Sequence, residues 1–377
     1  MKPWQKGIEL DYLKKIEKMF SSYNNFAQHE LSKFKKNNIA DAFSKDEIMI
    51  IGETLLHYKE VKRPGPLNMF PGITFAHKKP GDIVIEHLGY KTENDKQTLV
   101  EVLRDTDEFL SKDVWVYAHE ENEEDKEVLR RANFYKVGTR FNSLADIIGV
   151  YFREAKENLF ESKRTFIEVP EYETYTLKQF NLDFSKQVKK IQERLEDLDL
   201  TFTNHYSNYN KGKSWSAISL RGYTDSPNFI TKPIEMNKKW QEEHKDEHFE
   251  MRDTSMRSKF PEVEEILSKF KTEIHRVRFM KLKPGGGELE RHTDQVDPDV
   301  GIINGKLMRI HVPIKTNDKV EFTSWSPEGE KTIVNMKEGS VWYLDIRKPH
   351  TAINNGDTER THLVIDVVAN DSVRGML

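Results

Sequence analysis

"RHTDQ", residues 291–295, places His292 and Asp294 two positions apart, just past the glycine-rich turn "KPGGGE". Strand residues two apart point to one face, so the two side chains can converge if the strand direction continues. A third ligand then has to come from a distant strand. His311, His350 and His362 are the downstream candidates, and His350 follows "DIRKP" and opens "HTAIN". Two histidines and one carboxylate leave three adjacent positions of an octahedral ion open, the arrangement of non-haem Fe(II) oxygenases. A bidentate co-substrate fills two of them and oxygen the last.

H-x-D alone is common at polar strand ends, so the basic residues nearby decide. Arg360 stands ten positions after His350 and starts "RTHLVIDVV". Alternation puts Arg360, His362, Val364 and Asp366 on one face and Thr361, Leu363, Ile365 and Val367 on the other. A guanidinium beside a metal is unfavourable unless an anion lies between them. A dicarboxylate such as 2-oxoglutarate supplies one: its keto-acid end chelates iron and its far carboxylate accepts two parallel hydrogen bonds from arginine. "LMRIHVPI" adds Arg309 and His311, again two apart. A lone pair of this kind is ordinarily a salt bridge and a core histidine. Beside the other residues it reads as further support for the co-substrate carboxylate.

The elements that must position these residues change character along the chain. From residue 273 short strand-like runs recur: "EIHRVRFMKL", "ELERH", "LMRIHVPI", "KVEFTSW", "KTIVNM", "SVWYLDI", "HTAIN" and "RTHLVIDVV". Turns such as "SPEGE", "MKEGS" and "NNGDTE" separate them. This spacing argues a β-sandwich, jelly roll or barrel with a mouth for a small ligand. "DFSKQVKKIQERLEDL" is a preceding helix. "HYSNYNKGKSWSAISLRGYTD" reads as part of the pocket, with Trp215 and Arg221 as substrate contacts; Arg221 would suit a substrate carboxylate. The ordinary alternative makes Trp215 core and pairs Arg221 with a nearby acid.

Upstream, helix and strand signals alternate. "LDYLKKIEKMFSSY" has helical spacing, "EIMIIGETLLHY", "GDIVIEHLGY" and "DVWVYAHE" read as strands, and "DKQTLVEVLRDTDEFL" and "NEEDKEVLRRANF" as helices. A join falls near "ESKRTFIEVPEYE". His57, His77, His87 and His119 scatter here without ligand spacing and read as ordinary surface or core histidines.

Composition narrows the classes. With 377 residues, two domains are expected. Charged residues make up 32% at a net charge of −4, signs mixed, so nothing points to nucleic acid. No apolar run reaches membrane-spanning length and the N-terminus lacks a signal-peptide centre, so no membrane association is expected. The absence of cysteine excludes disulfides and thiolate ligands; with it goes the expectation of a cytoplasmic protein.

Residues 205–370 resemble the aspartyl/asparaginyl β-hydroxylase family of Fe(II)/2-oxoglutarate dioxygenases, which includes free-proline hydroxylases. The resemblance rests on "SWSAISLRGY", "KLKPGGGELERHTD", "LMRIHVPI" and "KPHTAINNGDTERTHLVIDV". It implies a double-stranded β-helix (jelly roll), with His292 and His350 as iron ligands, Arg360 and His311 at the co-substrate carboxylate, and Arg309 in the active site. Asp294 completes the triad, as in the proline-hydroxylase branch, and argues against halogenation. Met280 stands where the animal enzymes carry a serine near the co-substrate. The implied cofactors are Fe(II), 2-oxoglutarate and O2. The implied reaction hydroxylates an unactivated C–H of an amino-acid side chain, free or in a peptide, with release of succinate and CO2.

A second resemblance, to the GNAT fold of acetyl-CoA-dependent acyltransferases, rests on "VWVYAHEENEEDKEVLRRANFYKVGTRF". The loop that should cradle pyrophosphate reads "GYKTEND", with one glycine and two acids, so an accessory role is expected and a bifunctional acyltransferase is the alternative. The expected architecture is α+β in two domains: a GNAT-like α/β domain over 1–160, a connection over 161–185, and a double-stranded β-helix with flanking helices over 186–377.

Overall fold

The computed structural model describes residues 14–16, 18–19, 41–63, 65–66, 77–142, 144–156, 175–198, 200–206, 210–294 and 307–377. Of the helix read from "LDYLKKIEKMFSSY", residues 14–16 and 18–19 are described and are helical; the rest of it, and the join at "ESKRTFIEVPEYE", lie outside the described residues. Two compact units emerge, Met1–Asn142 with Asp146–Glu168, and Ser143–Ala145 with Val169–Leu377.

The N-terminal unit is built on strands β1 (Ile48–Ile51), β2 (Thr54–Glu60), β3 (Ile83–Gly89), β4 (Val114–His119), β5 (Tyr135–Phe141) and β6 (Ile147–Arg153). Their order in the sheet is β1-β2-β3-β4-β6-β5. Only β3 and β4 pair in parallel, over Ile83–Ile85 and Val114–Val116. Helices α1 (Glu93–Asp105) and α2 (Glu123–Arg131) cover one face. Their apolar stripes, Leu99 and Leu103, Val128 and Leu129, pack with Ile83, Ile85 and Val116. The single strand read from "EIMIIGETLLHY" is a hairpin: Ile51 pairs with Thr54, and Gly52 turns the chain at φ 63°. That left-handed conformation costs glycine little.

In the C-terminal unit each of the eight strands expected after residue 273 is present. The longer strands are β7 (Leu177–Asp183), β8 (Trp215–Gly222), β9 (Ile274–Leu282), β10 (Gly287–His292), β11 (Leu307–Lys315), β12 (Val320–Trp325), β13 (Lys331–Val334), β14 (Ser340–Leu344), β15 (His350–Asn354) and β16 (Arg360–Val368). They form two antiparallel sheets, β8-β9-β16-β11-β14-β7 and β10-β15-β12-β13. This is the jelly roll that the strand spacing and the family resemblance imply.

Alternation sorts the large sheet into two faces. Val277, Phe279, Ile310, Val312, Leu363, Ile365 and Val367 pack against α3 (Ser185–Asp197) and α4 (Pro261–Leu267) through Val188, Ile191, Val263 and Ile266. The opposite face meets the small sheet. Leu282, Leu307, Phe322, Leu344 and Ala352 close one part of that space; Arg309, His311, Arg360, His362 and Asp366 line the rest, all buried. Each fully buried large aliphatic side chain here contributes roughly 1.5–3 kcal/mol. That supply holds a polar interior in place.

Candidate metal and co-substrate site

His292 ends β10 and stands directly opposite His350, the first residue of β15. Their ring centroids are 4.3 Å apart. Asp294 lies beyond the strand end, where the Asp294 N–H donates to the Ile346 carbonyl at 2.8 Å. Convergence therefore comes from this anchored turn, not from a continued strand. One ligand atom each from His292, Asp294 and His350 lies within 4.8 Å of the others. His292 Nε2 is 3.3 Å from Asp294 Oδ1.

Both imidazoles are oriented by backbone. His292 Nδ1 is 2.6 Å from the Glu290 carbonyl, and His350 Nδ1 is 3.0 Å from the Lys348 carbonyl. A carbonyl accepts only, so Nδ1 carries the proton and Nε2 keeps its lone pair for the cluster centre. Burial, with His292 adding to it, holds His350 down to about 3, so it is neutral at pH 7. Burial pushes the Asp294 carboxyl upward, but Arg309 and then His292 outweigh it and hold it well below the carboxylate range. Two imidazoles and a carboxylate form a donor set that fits a divalent iron.

Arg309 departs from expectation. Instead of facing a co-substrate carboxylate, its guanidinium is taken up by two side chains of the protein. Nε lies 2.7 Å from Asp366 Oδ1, Nη2 lies 3.2 Å from Asp366 Oδ2, and Nη1 donates to Asp294. The reason is register: Arg309 and Asp366 face each other across β11 and β16. Asp366 also receives Arg276 Nη2 at 2.9 Å and Arg278 Nη2 at 3.3 Å. One buried carboxylate thus serves three guanidinium groups, and Arg309 transmits that anchoring to Asp294.

His311 and His362 lie outside the metal cluster. They form a second group with Arg360: Arg360 Nη2 is 2.9 Å from His362 Nδ1, which is 3.3 Å from His311 Nδ1. Among the described residues no carboxylate ion-pairs with Arg360, and Arg360 Nε, His311 Nε2 and His362 Nε2 are buried without a hydrogen-bond partner. Burial alone pushes the Arg360 guanidinium down to about 9. Burial and then Arg360 hold His311 and His362 well below the usual histidine range. A buried cation with idle donors costs several kcal/mol unless an anion meets it, and a ligand carboxylate is the fitting occupant. Ser324, whose Oγ is likewise idle, pairs with His350 in register. Met280 pairs with His362 and lends no hydroxyl.

The two substrate candidates separate. Trp215 stays at the interior, stacked on His205 at 3.9 Å and packed with Met280 and Val364. Arg221 does not. A bulge between Ser219 and Arg221 pairs Ser219 with Arg278 but Arg221 with Val277, on the helix-covered side. There Arg221 binds Asp253 at 3.0 Å and the Ile274 carbonyl at 3.1 Å. The assignment of Arg221 to substrate is therefore corrected. Arg221→Ala is expected to leave kcat/KM unchanged and to cost less than about 1 kcal/mol, as half-exposed ion pairs do; kinetics and urea melts check both. The interior residues that the sequence reading missed are Arg276, Arg278, Lys232 and Glu235. R-x-R in "HRVRF", two apart on a core strand, was the sequence signal for Arg276 and Arg278. Lys232 is buried 3.5 Å from Glu235 and pushed down to about 8, by burial first and then Arg276.

Residues 183–370 match the family model described as aspartyl/asparaginyl beta-hydroxylase. Among solved structures, a Pseudomonas putida prolyl-4-hydroxylase is similar at 11% identity and TM-score 0.31, over 52% of this chain and 94% of that one. A Trichoplax adhaerens prolyl hydroxylase, in complex with a hypoxia inducible factor peptide fragment, is similar at 12% identity and TM-score 0.34, over 54% and 87%. A Burkholderia pseudomallei member of the 2OG-Fe(II) oxygenase family follows at 13% and 0.30, over 49% and 78%. With the matched family model spanning both sheets, residues 183–370 form a domain of the aspartyl/asparaginyl β-hydroxylase family, a 2-oxoglutarate-dependent hydroxylase that works with Fe(II), 2-oxoglutarate and O2.

Proposed function

We propose that this domain hydroxylates an unactivated C–H of an amino-acid side chain, free or within a peptide. His292, Asp294 and His350 hold the iron, and Arg360, with His311 and His362 beside it, takes the far carboxylate of 2-oxoglutarate. The observation that carries this reading is the pairing of a His-Asp-His cluster with a buried arginine that no described carboxylate neutralises. When bound, the cofactor set supplies the oxidation: 2-oxoglutarate and O2 yield succinate and CO2 as one oxygen atom enters the substrate. The protein's part is placement. Backbone carbonyls fix both imidazoles, Arg309 holds Asp294 against rotation, and Trp215 walls the space.

Anaerobic addition of Fe(II) and 2-oxoglutarate is expected to produce the visible charge-transfer band of the chelate. Amino acids and peptides that stimulate succinate release then identify the substrate. A featureless spectrum, or no stimulation by either class, would overturn the reading. Arg360→Ala is expected to raise the 2-oxoglutarate requirement about 100-fold, the cost of about 2.7 kcal/mol for a desolvated charge pair. Iron affinity should hold; if iron is lost instead and co-substrate affinity stays, the assignment of Arg360 is wrong.

For the N-terminal unit, the parallel pairing of β3 with β4 around α1 favours a GNAT-like acyltransferase as a second reading. The start of α1 opposes it. Thr92 accepts from the Asp95 N–H, and the Asp95 carboxylate accepts from the Thr92 N–H at 2.9 Å. This capping box occupies amides that a pyrophosphate would need. Acetyl-CoA binding by the full chain, measured by calorimetry, separates the two readings.

A further inference from the structure

The sequence gives no reason to group His57, Glu86 and His87. They lie on two strands, and Glu86 and His87 are neighbours, which on a regular strand face opposite ways. The structure groups them through one irregularity. Between β2 and β3, His57 pairs with His87 and Tyr58 with Ile85, so Glu86 is the extra residue of a β-bulge. The faces on either side record the shift. Ile85 and Leu88, three apart, both pack under the helices, which leaves Glu86 and His87 together on the other face.

On that face one ligand atom each from His57, Glu86 and His87 lies within 4.8 Å of the others. His57 Nδ1 is 3.0 Å from His87 Nδ1 and 3.6 Å from Glu86 Oε2. For donors about 2.1 Å from one ion, these separations correspond to angles of about 90° and about 120°, within the range of transition-metal sites. His57 is buried, while Glu86 and His87 border a cavity of about 470 Å³. Lys59, Lys62, Arg63, Lys78 and Arg140 line that cavity, against the carboxylates of Glu60 and Glu86.

We infer that the N-terminal unit holds a second metal site, a His57–Glu86–His87 centre for a divalent transition ion whose open positions face a basic cavity and accept a small anionic ligand. Imidazole and carboxylate together select ions of the zinc, cobalt and iron class. The excess of ammonium and guanidinium groups selects the anion. Lys59 Nζ now sits 2.8 Å from Glu86 Oε2. It competes with the ion for that oxygen, and this gives the inference a distinctive signature. The inference does not depend on the reading of the hydroxylase domain.

The test uses the full chain and Co(II) alone as probe. Equilibrium dialysis is expected to show two ions per wild-type chain and one in His292→Ala/His350→Ala. In that background, His57→Gln or His87→Gln should remove the last ion. Lys59→Ala should tighten it about tenfold, which a hydrogen-bonded histidine pair with no metal role would not do. Azide should shift the Co(II) visible band of the remaining site if its open positions face the cavity. Circular dichroism melts show whether each variant folds; if His57→Gln does not, His87→Gln and Lys59→Ala decide. No Co(II) retained below 100 µM (about 5 kcal/mol of binding) in the double variant would overturn the site. So would retention unchanged by His87→Gln. An azide-insensitive band would overturn the open-position assignment.

Discussion

His350→Ala is expected to lower substrate-stimulated succinate formation by more than about 100-fold and to abolish the Fe(II)–2-oxoglutarate charge-transfer band. Removal of a partner that merely orients a metal ligand already costs 10- to 100-fold, and in the proposed site His350 supplies a ligand atom itself. Its ring has no other evident task. It is neutral, its Nδ1 is spent on the Lys348 carbonyl, and a ring nitrogen lies within 4.8 Å of the ligand atoms of His292 and Asp294. His292→Ala and Asp294→Ala should behave alike. His311→Ala provides the contrast, because its ring belongs to the Arg360 group. It should weaken 2-oxoglutarate binding and leave iron in place. Metal analysis beside the kinetics distinguishes the two classes; iron lost from His311→Ala and kept by His350→Ala would exchange their roles.

The second large effect concerns stability. Asp366→Asn leaves Arg276, Arg278 and Arg309 buried around a neutral amide. Breaking a buried ion pair by removing one partner costs about 3–5 kcal/mol. For a domain of this size each kcal/mol is worth about 2–4 °C, so the melting temperature should fall by roughly 6–20 °C. The same carboxylate sets a pH dependence. Burial works against its ionisation, but Arg309, Arg276 and Arg278 outweigh burial and keep its pKa below the unfolded value. A depressed folded pKa means the contribution is complete above the unfolded pKa of about 3.9 and is lost as pH falls below it. Wild type should therefore lose stability steeply below about pH 4, and Asp366→Asn should show a shallower fall. Identical acid profiles would remove Asp366 from that account. Because Arg309 also binds Asp294, the variant should lose iron affinity before it loses its fold.

Much of the hydroxylase site was legible because strand chemistry is local. Period-two alternation in "RTHLVIDVV" placed Arg360 and His362 on one face and Leu363 and Ile365 on the other, and the structure keeps that division. H-x-D, a later histidine and a spaced arginine are residue types whose joint chemistry has few uses, and the family match on residues 183–370 agrees with them.

Only the tertiary structure decided the partners. A sequence shows that Arg309 is a cation; it does not show that Asp366 stands opposite it on the neighbouring strand. Nor does it show bulges. One residue of register slip turned Arg221 away from the interior, and another turned Glu86 toward His57 and His87. The physical reason is the same in both cases. Side-chain direction along a strand is fixed by the backbone, but a bulge is set by pairing with a second strand. The amino-acid order thus determined which groups this protein owns and which faces regular strands give them. Contacts between residues distant along the chain determined which of those groups meet.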